Sequence, residues 1–174
     1  MHLQEHISTR VARAVADSTA DVGILNAGSY GEELVQLPYR QDELVLVVPA
    51  HHGLARRRSV AFAEALVHDF VGLHPGSAMN DLLHRGASEA GLPLRLRMQV
   101  TSYDALCLMV DAGMGIGVLP RGSARLYLPA LKIRAVRLAE SWAARQLVLA
   151  VRSLEALSPA ARMLVEHLRP GADG

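Results

Sequence analysis

Short, nearly unbroken apolar runs alternate along this chain with stretches in which apolar positions recur every three or four residues. The runs predict β-strands at DVGIL (21–25), ELVLVVP (43–49), RMQVT (97–101), GIGVLP (115–120) and QLVLAV (146–151). An unbroken run suits a strand covered on both faces, because successive side chains point to opposite sides of a sheet. The segment LKIRAVRL (131–138) alternates instead. Leu131, Ile133, Ala135 and Arg137 share one side, and Lys132, Arg134, Val136 and Leu138 the other, which predicts a half-exposed edge strand. Strands interleaved with helical stretches point to an α/β protein with mainly parallel strands.

The ends of the helical stretches carry punctuation. Ser8 precedes Val11, Ala14 and Val15 as a candidate N-cap, whose hydroxyl can satisfy a first-turn N–H. Ser77 or Asn80 opens a helix through Leu82, Leu83 and Ala87 that stops at Gly91. Ser102 opens another through Leu106, Met109 and Val110, ended by Gly113, where glycine permits the left-handed conformation that terminates helices. Ser158 and Pro159 give the cap and first-turn proline of a last helix, through Met163, Leu164 and Leu168, closed by Pro170 and Gly171.

Composition narrows the class. The 174 residues are 51% apolar and 20% charged, as in a globular chain with room for one domain or two small ones. Apolar runs such as Leu44–Val48 fall far short of the ~20 residues of a membrane-spanning helix. The opening MHLQEHISTRVARAV has no basic leader followed by an apolar stretch, so a secretory signal is not expected and a cytoplasmic location is. Cys107 stands alone, so no internal disulfide can form. Eighteen basic against seventeen acidic residues, with Arg56–Arg58 the one basic run, give no support for nucleic-acid binding by the chain itself.

The conventional catalytic motifs fail on context. Gly113, Gly115 and Gly117 close a helix and enter a strand, whereas a dinucleotide loop leaves a strand and opens a helix. AGSYG (27–31) has Ala27 where a nucleophile elbow needs glycine, and an extended segment follows it. The neighbours His51 and His52 point apart on an extended segment, and His2 and His6 lie where a strand runs into a cap, so no metal site is expected. Cys107 reads as a small core residue. What recurs is strand, short polar loop, helix N-terminus: at Glu5 to Thr9, at His74 to Asn80 (HPGSAMN) and at Thr101 to Asp104 (TSYD). Free N–H groups and the helix dipole make each junction a receptor for a carboxylate or another anion, although any single serine there is more simply a cap.

The order of segments resembles the effector-binding domain of LysR-type transcriptional regulators over essentially the whole chain. The resemblance is carried by E-x-x-S before a helix (Glu5, Ser8), VADSTADVGIL, LVLVVPAHHGLA, the segment Val60 to Ala65, VDAGMGIGVLP, QLVLAVR and the LSPAA that introduces the last helix. It implies a type II periplasmic-binding-protein-like fold: two α/β subdomains joined by two crossover strands, with a small effector in the cleft between them. Subdomain I would be 1–43 with 146–174, and subdomain II 44–145. By position, Ser8 and Thr9 match the first effector contact. His74, Pro75, Gly76, Ser77 and Ala78 match the loop facing it, Thr101, Ser102 and Tyr103 the second contact, and Asn26 and Leu149 the hinge.

The family's helix-turn-helix and linker helix are not among these residues, and the first strand and helix of subdomain I are missing from the pattern. Met1 is therefore expected to be internal to a longer protein, or the chain to be a fragment. The expected role is effector sensing for a cytoplasmic transcription regulator that is a homodimer or homotetramer, meets DNA only through the helix-turn-helix, meets no membrane, uses no cofactor and performs no catalysis. The expected effector is a small organic anion. Competing readings are a solute receptor of a transport system with the same fold, an α/β enzyme using Ser29 or Cys107, and a fragment without function of its own.

Overall fold

The computed structural model describes residues 2–4, 6–30 and 34–169. Glu5, Gly31, Pro170 and Gly171, which carry parts of the patterns above, lie outside the described residues. In chain order the elements are α1 (Ser8–Ala16), β1 (Gly23–Asn26), β2 (Val35–Pro49), β3 (Ser59–Val60), α2 (Phe62–Ala65), β4 (Phe70–Leu73), α3 (Ala78–Glu89), β5 (Leu96–Val100), α4 (Tyr103–Asp111), β6 (Gly117–Pro120), α5 (Arg121–Tyr127), β7 (Ile133–Leu138), β8 (Ala144–Val151) and α6 (Pro159–Leu168). Two compact units result, Met1–Gln41 with Arg145–Gly174 and Asp42–Ala144. The chain leaves the first along β2 and returns along β8.

In unit 1, β1 runs antiparallel to β8, from Gly23 opposite Ala150 to Asn26 opposite Leu147, and β8 lies next to β2. The two-residue period of β8 divides the core. Val148 and Ala150 pack with Leu25 and with Ala12 of α1, while Leu149 and Val151 pack with Val165 of α6. The apolar run QLVLAV is thus covered on both faces, as its pattern predicts. Gly23 lets α1 lie close to the strand, since a Cβ there would stand 2.7 Å from Cγ1 of Val11.

In unit 2, Leu44 to Pro49 of β2 are wholly buried between two antiparallel neighbours, β6 (Leu44 opposite Pro120) and β7 (Val45 opposite Arg137). β4 and β5 run parallel, from Phe70 opposite Leu96 to Leu73 opposite Val100, and Phe70 also bridges to Ile116 just before β6. A single large cluster joins these strands to α3 and α4 through Leu83, Leu106 and Val110.

Two expectations about strands are corrected. The strands are mixed rather than mainly parallel, because an unbroken apolar run reports cover on both faces and says nothing of direction. LKIRAVRL is not an edge strand. β3 pairs along its outer side, Ser59 with Arg137 and Val60 with Leu138, and burial at Ile133, Val136 and Leu138 falls on both of its faces. The helix ends fare better. Ser77, Ser102 and Ser158 are N-caps, accepting from the N–H groups of Asn80, Ala105 and Ala161. Gly91 and Gly113 follow their helices at φ +65° and +75°. Ser8 is the exception: Ile7 takes the cap position and Ser8 is the first helical residue.

His52 has a structural use. Its Nδ1 accepts the N–H of Leu54 (3.2 Å), opening the 3-10 turn Gly53–Arg56, and its ring meets His68 edge-on at 4.6 Å. Burial first, then the charges of His68 and His51, hold its pKa below the ordinary 6.5. Protonation therefore favours the unfolded chain, and His52 withdraws stability as pH falls from 6.5 through its lower folded value. Urea unfolding midpoints measured between pH 8 and pH 5 are expected to fall less steeply in His52→Gln than in the wild type; equal slopes would refute this role.

Candidate functional site

Two of the expected loops are brought together by strand geometry in unit 2. β4 and β5 are parallel neighbours with Leu73 opposite Val100, so the chain leaves both at the same edge of the pair. His74 to Ser77 lead from β4 into α3, and Thr101 and Ser102 lead from β5 into α4. Open α/β sheets hold ligands at the carboxyl ends of their strands, where such loops turn into helix N-termini.

The two N-termini differ in what they leave free. At α3, Ser77 Oγ takes the N–H of Asn80 (3.1 Å), and its carbonyl takes that of Asp81. The N–H groups of Ala78 and Met79 then have no acceptor among the described residues. Gly76 stands at φ +81°, turning the loop sharply into the helix, and His74 Nδ1 lies 3.1 Å from the carbonyl of Pro75. Asn80 is 4% exposed and its Oδ1 has no partner. At α4 the position is already taken. The carboxylate of Asp104 accepts from the Ser102 hydroxyl and from the backbone N–H groups of Asp104 and Ala105, and these bonds hold its pKa below the ordinary carboxylate value. Ser102 Oγ is also the cap for Ala105 N (3.4 Å).

In unit 1, Ser8 Oγ accepts the N–H of Asn26 at 3.2 Å, which ties α1 to the end of β1. The Tyr30 hydroxyl donates to the carbonyl of the same Asn26, whose Oδ1 is buried without a partner. Thr9 is exposed and lines an open depression of about 510 Å³ together with Arg10, Arg13 and Tyr30. Leu149 is fully buried opposite Ile24, its side chain in the core beside Val151 and Val165. Ser8, Thr9 and Asn26 are therefore neighbours, and Leu149 is placed away from the surface they share.

The groups offered for catalysis sit otherwise. Cys107 is buried in α4, and burial, with the Asp104 charge second, pushes its thiol up to about 11, so a thiolate is disfavoured near neutral pH. Ser29 lies in the loop between β1 and β2, and a strand follows it where an elbow requires a helix. Arg10, Arg13, Tyr30 and Asn80 were not legible as site residues. Asn80 carried a signal only as an alternative cap, and the other three come together only once α1 folds against the loop after β1.

A protein-family profile described as the LysR substrate binding domain matches residues 1–173. The chain belongs to that family. Its fold is accordingly the type II periplasmic-binding-protein-like fold expected from the sequence, and it is the effector-binding domain of a LysR-type regulator. It is 27% identical over 168 residues to the RuBisCO operon transcriptional regulator of Allochromatium vinosum, an alignment covering 91% of this chain and 56% of that protein. The Synechocystis CcmR regulatory domain in complex with 2-PG superposes with a TM-score of 0.74 at 17% identity, covering 93% of this chain and 78% of that one. The effector-binding domain of QuiR in complex with shikimate gives 0.68 at 20%, covering 90% and 73%. The LysR domain chain spans from about a third to just over half of the curated relatives it matches, 35% of one probable RuBisCO regulator from Synechocystis against the 56% above. Those relatives are transcriptional regulators by name. Among the described residues no helix is long and apolar enough to cross a membrane.

Proposed function

We propose that this LysR domain senses a small organic anion on behalf of a cytoplasmic transcription regulator. The regulator would act as a homodimer or homotetramer, touch DNA through a separate helix-turn-helix and perform no catalysis. The observation that carries the reading is the pair of free N–H groups at Ala78 and Met79, beside the His74–Ala78 and Thr101–Tyr103 loops at the ends of β4 and β5. A helix N-terminus with free donors favours negative charge. Since Asp104 occupies the first turn of α4, the anionic group belongs at α3, and Thr101, Ser102 and Tyr103 serve uncharged parts of the effector. That relatives bind shikimate and 2-PG in solved structures supports effector sensing as the role.

A thermal-shift screen of carboxylates, phosphates, neutral sugars and amines tests this. A ligand at about a hundred times its Kd stabilises the native state by roughly 2.7 kcal/mol. Anions are expected to raise the melting temperature, and a response confined to sugars or cations overturns the anion reading. Ser77→Ala is expected to reduce the response and, separately, to cost ~1 kcal/mol of stability as a lost cap. Affinity is therefore measured by calorimetry at a temperature where both proteins are folded.

A further inference from the structure

We infer that the depression on unit 1 lined by Thr9, Arg10, Arg13 and Tyr30 is a second ligand site, which takes a compact dianion. Its volume of about 510 Å³ falls in the range of small-molecule sites, and the described residues that line it all belong to unit 1. It includes Thr9, one of the residues expected to meet the effector, but shares nothing with the N-terminus of α3, so the Ser77→Ala arm below tells its failure from that of the effector reading. Arg10 and Arg13 are three residues apart on α1 and therefore project from one face a turn apart, with Thr9 beside them. The ion pairs among the described residues engage Arg57, Arg121 and Arg137, and leave both of these guanidiniums without a carboxylate.

Two guanidiniums without a carboxylate partner among the described residues, facing one hollow, repel each other, and each offers a planar fork that matches two oxygens of a carboxylate or phosphate. A ligand with two negative charges relieves the repulsion and fills both forks; a single charge does so for only one. The opposite wall is held in place, because Ser8 Oγ and the Tyr30 hydroxyl grip the N–H and the carbonyl of Asn26. With its hydroxyl proton so used, Tyr30 presents its ring to the carbon skeleton of the ligand. Sites fixed before binding lose less affinity to ordering.

The test is a titration of the whole chain, at constant ionic strength, with inorganic phosphate, succinate and acetate, followed residue by residue in ¹H–¹⁵N spectra. Backbone signals of Thr9, Arg10, Arg13 and Tyr30 are expected to shift saturably, with phosphate or succinate binding at least tenfold more tightly than acetate. Which of the two saturates first assigns a phosphate or a dicarboxylate head. Arg10→Gln with Arg13→Gln should weaken binding at least tenfold, and because both side chains are exposed the remaining spectrum should be unchanged. Ser77→Ala should leave this binding intact whatever it does to effector sensing. Absence of a saturable shift, equal binding of acetate, or full binding by the double arginine variant overturns the site.

Discussion

Gly115→Ala is expected to destabilise unit 2 by about 3 kcal/mol or more, a large share of the roughly 5–15 kcal/mol that holds an ordinary domain folded. A Cβ at Gly115 would stand 2.6 Å from the carbonyl oxygen of Asp69, with the carbonyl carbons of Asp69 and Phe70 at 3.2 and 3.3 Å. That backbone cannot retreat cheaply. The Asp69 oxygen accepts the N–H of Ile116 at 2.9 Å, and the Ile116 carbonyl in turn accepts the N–H of Val71 at 2.8 Å. Shifting the carbonyl breaks the joint between β4 and the start of β6, and φ at +156° is itself a conformation that alanine avoids. Gly91→Ala is the control. It too has positive φ, +65°, but nothing lies within 4 Å of its Cβ, so only the left-handed penalty of about 1–2 kcal/mol is expected. Urea unfolding followed by circular dichroism decides, and equal losses in the two variants would mean that the close approach at Asp69 does not exist.

Phe70→Ala is expected to cost about 3–5 kcal/mol and to abolish the effector response with it. Phe70 is 0% exposed, meets the ring of Phe62 edge-on at 5.9 Å and stands between Leu96 of β5 and Ile116. Removing the ring leaves a cavity at the root of the strand that delivers His74 to Ala78. The loss should therefore appear both in the unfolding midpoint and, at temperatures where the variant is still folded, in ligand affinity. Phe70→Leu should recover part of both. A variant that loses stability yet binds with unchanged affinity would separate the core from the loop and refute the coupling.

What could be read in the residues and what could not follows from range. Ser77, Ser102, Gly91 and Gly113 act on neighbours within one helical turn, and their roles were legible because the chemistry of a cap is local. Ser8 has the same local look, yet its hydroxyl is spent on Asn26, eighteen residues away, through the packing of α1 on β1. β4 was implied by the His74–Asn80 junction but given no bounds, because a four-residue apolar run such as FVGL fits a strand and a buried helix turn equally well. The inner position of LKIRAVRL depended on β3, whose two residues are too few to show any period. At the site, both loops of unit 2 were found from strand-loop-helix order alone. The carboxylate of Asp104 filling the α4 terminus was not, because the same TSYD residues serve an empty or an occupied first turn.

The two units also differ in how their apolar interiors are joined. Among the described residues, unit 2 has one continuous cluster, whereas unit 1 has two small ones on opposite faces of a thin sheet, each backed by a single helix. Cooperativity follows connectivity, so opening of α1 or α6 costs only the cluster beneath it, while any opening in unit 2 disturbs the whole. Heat or denaturant is therefore expected to meet this chain as a layered object, with unit 1 yielding first, so that one melting temperature would average two events. The depression beside Arg10 belongs to the yielding layer, and a ligand held there would make its most visible mark on the earlier event.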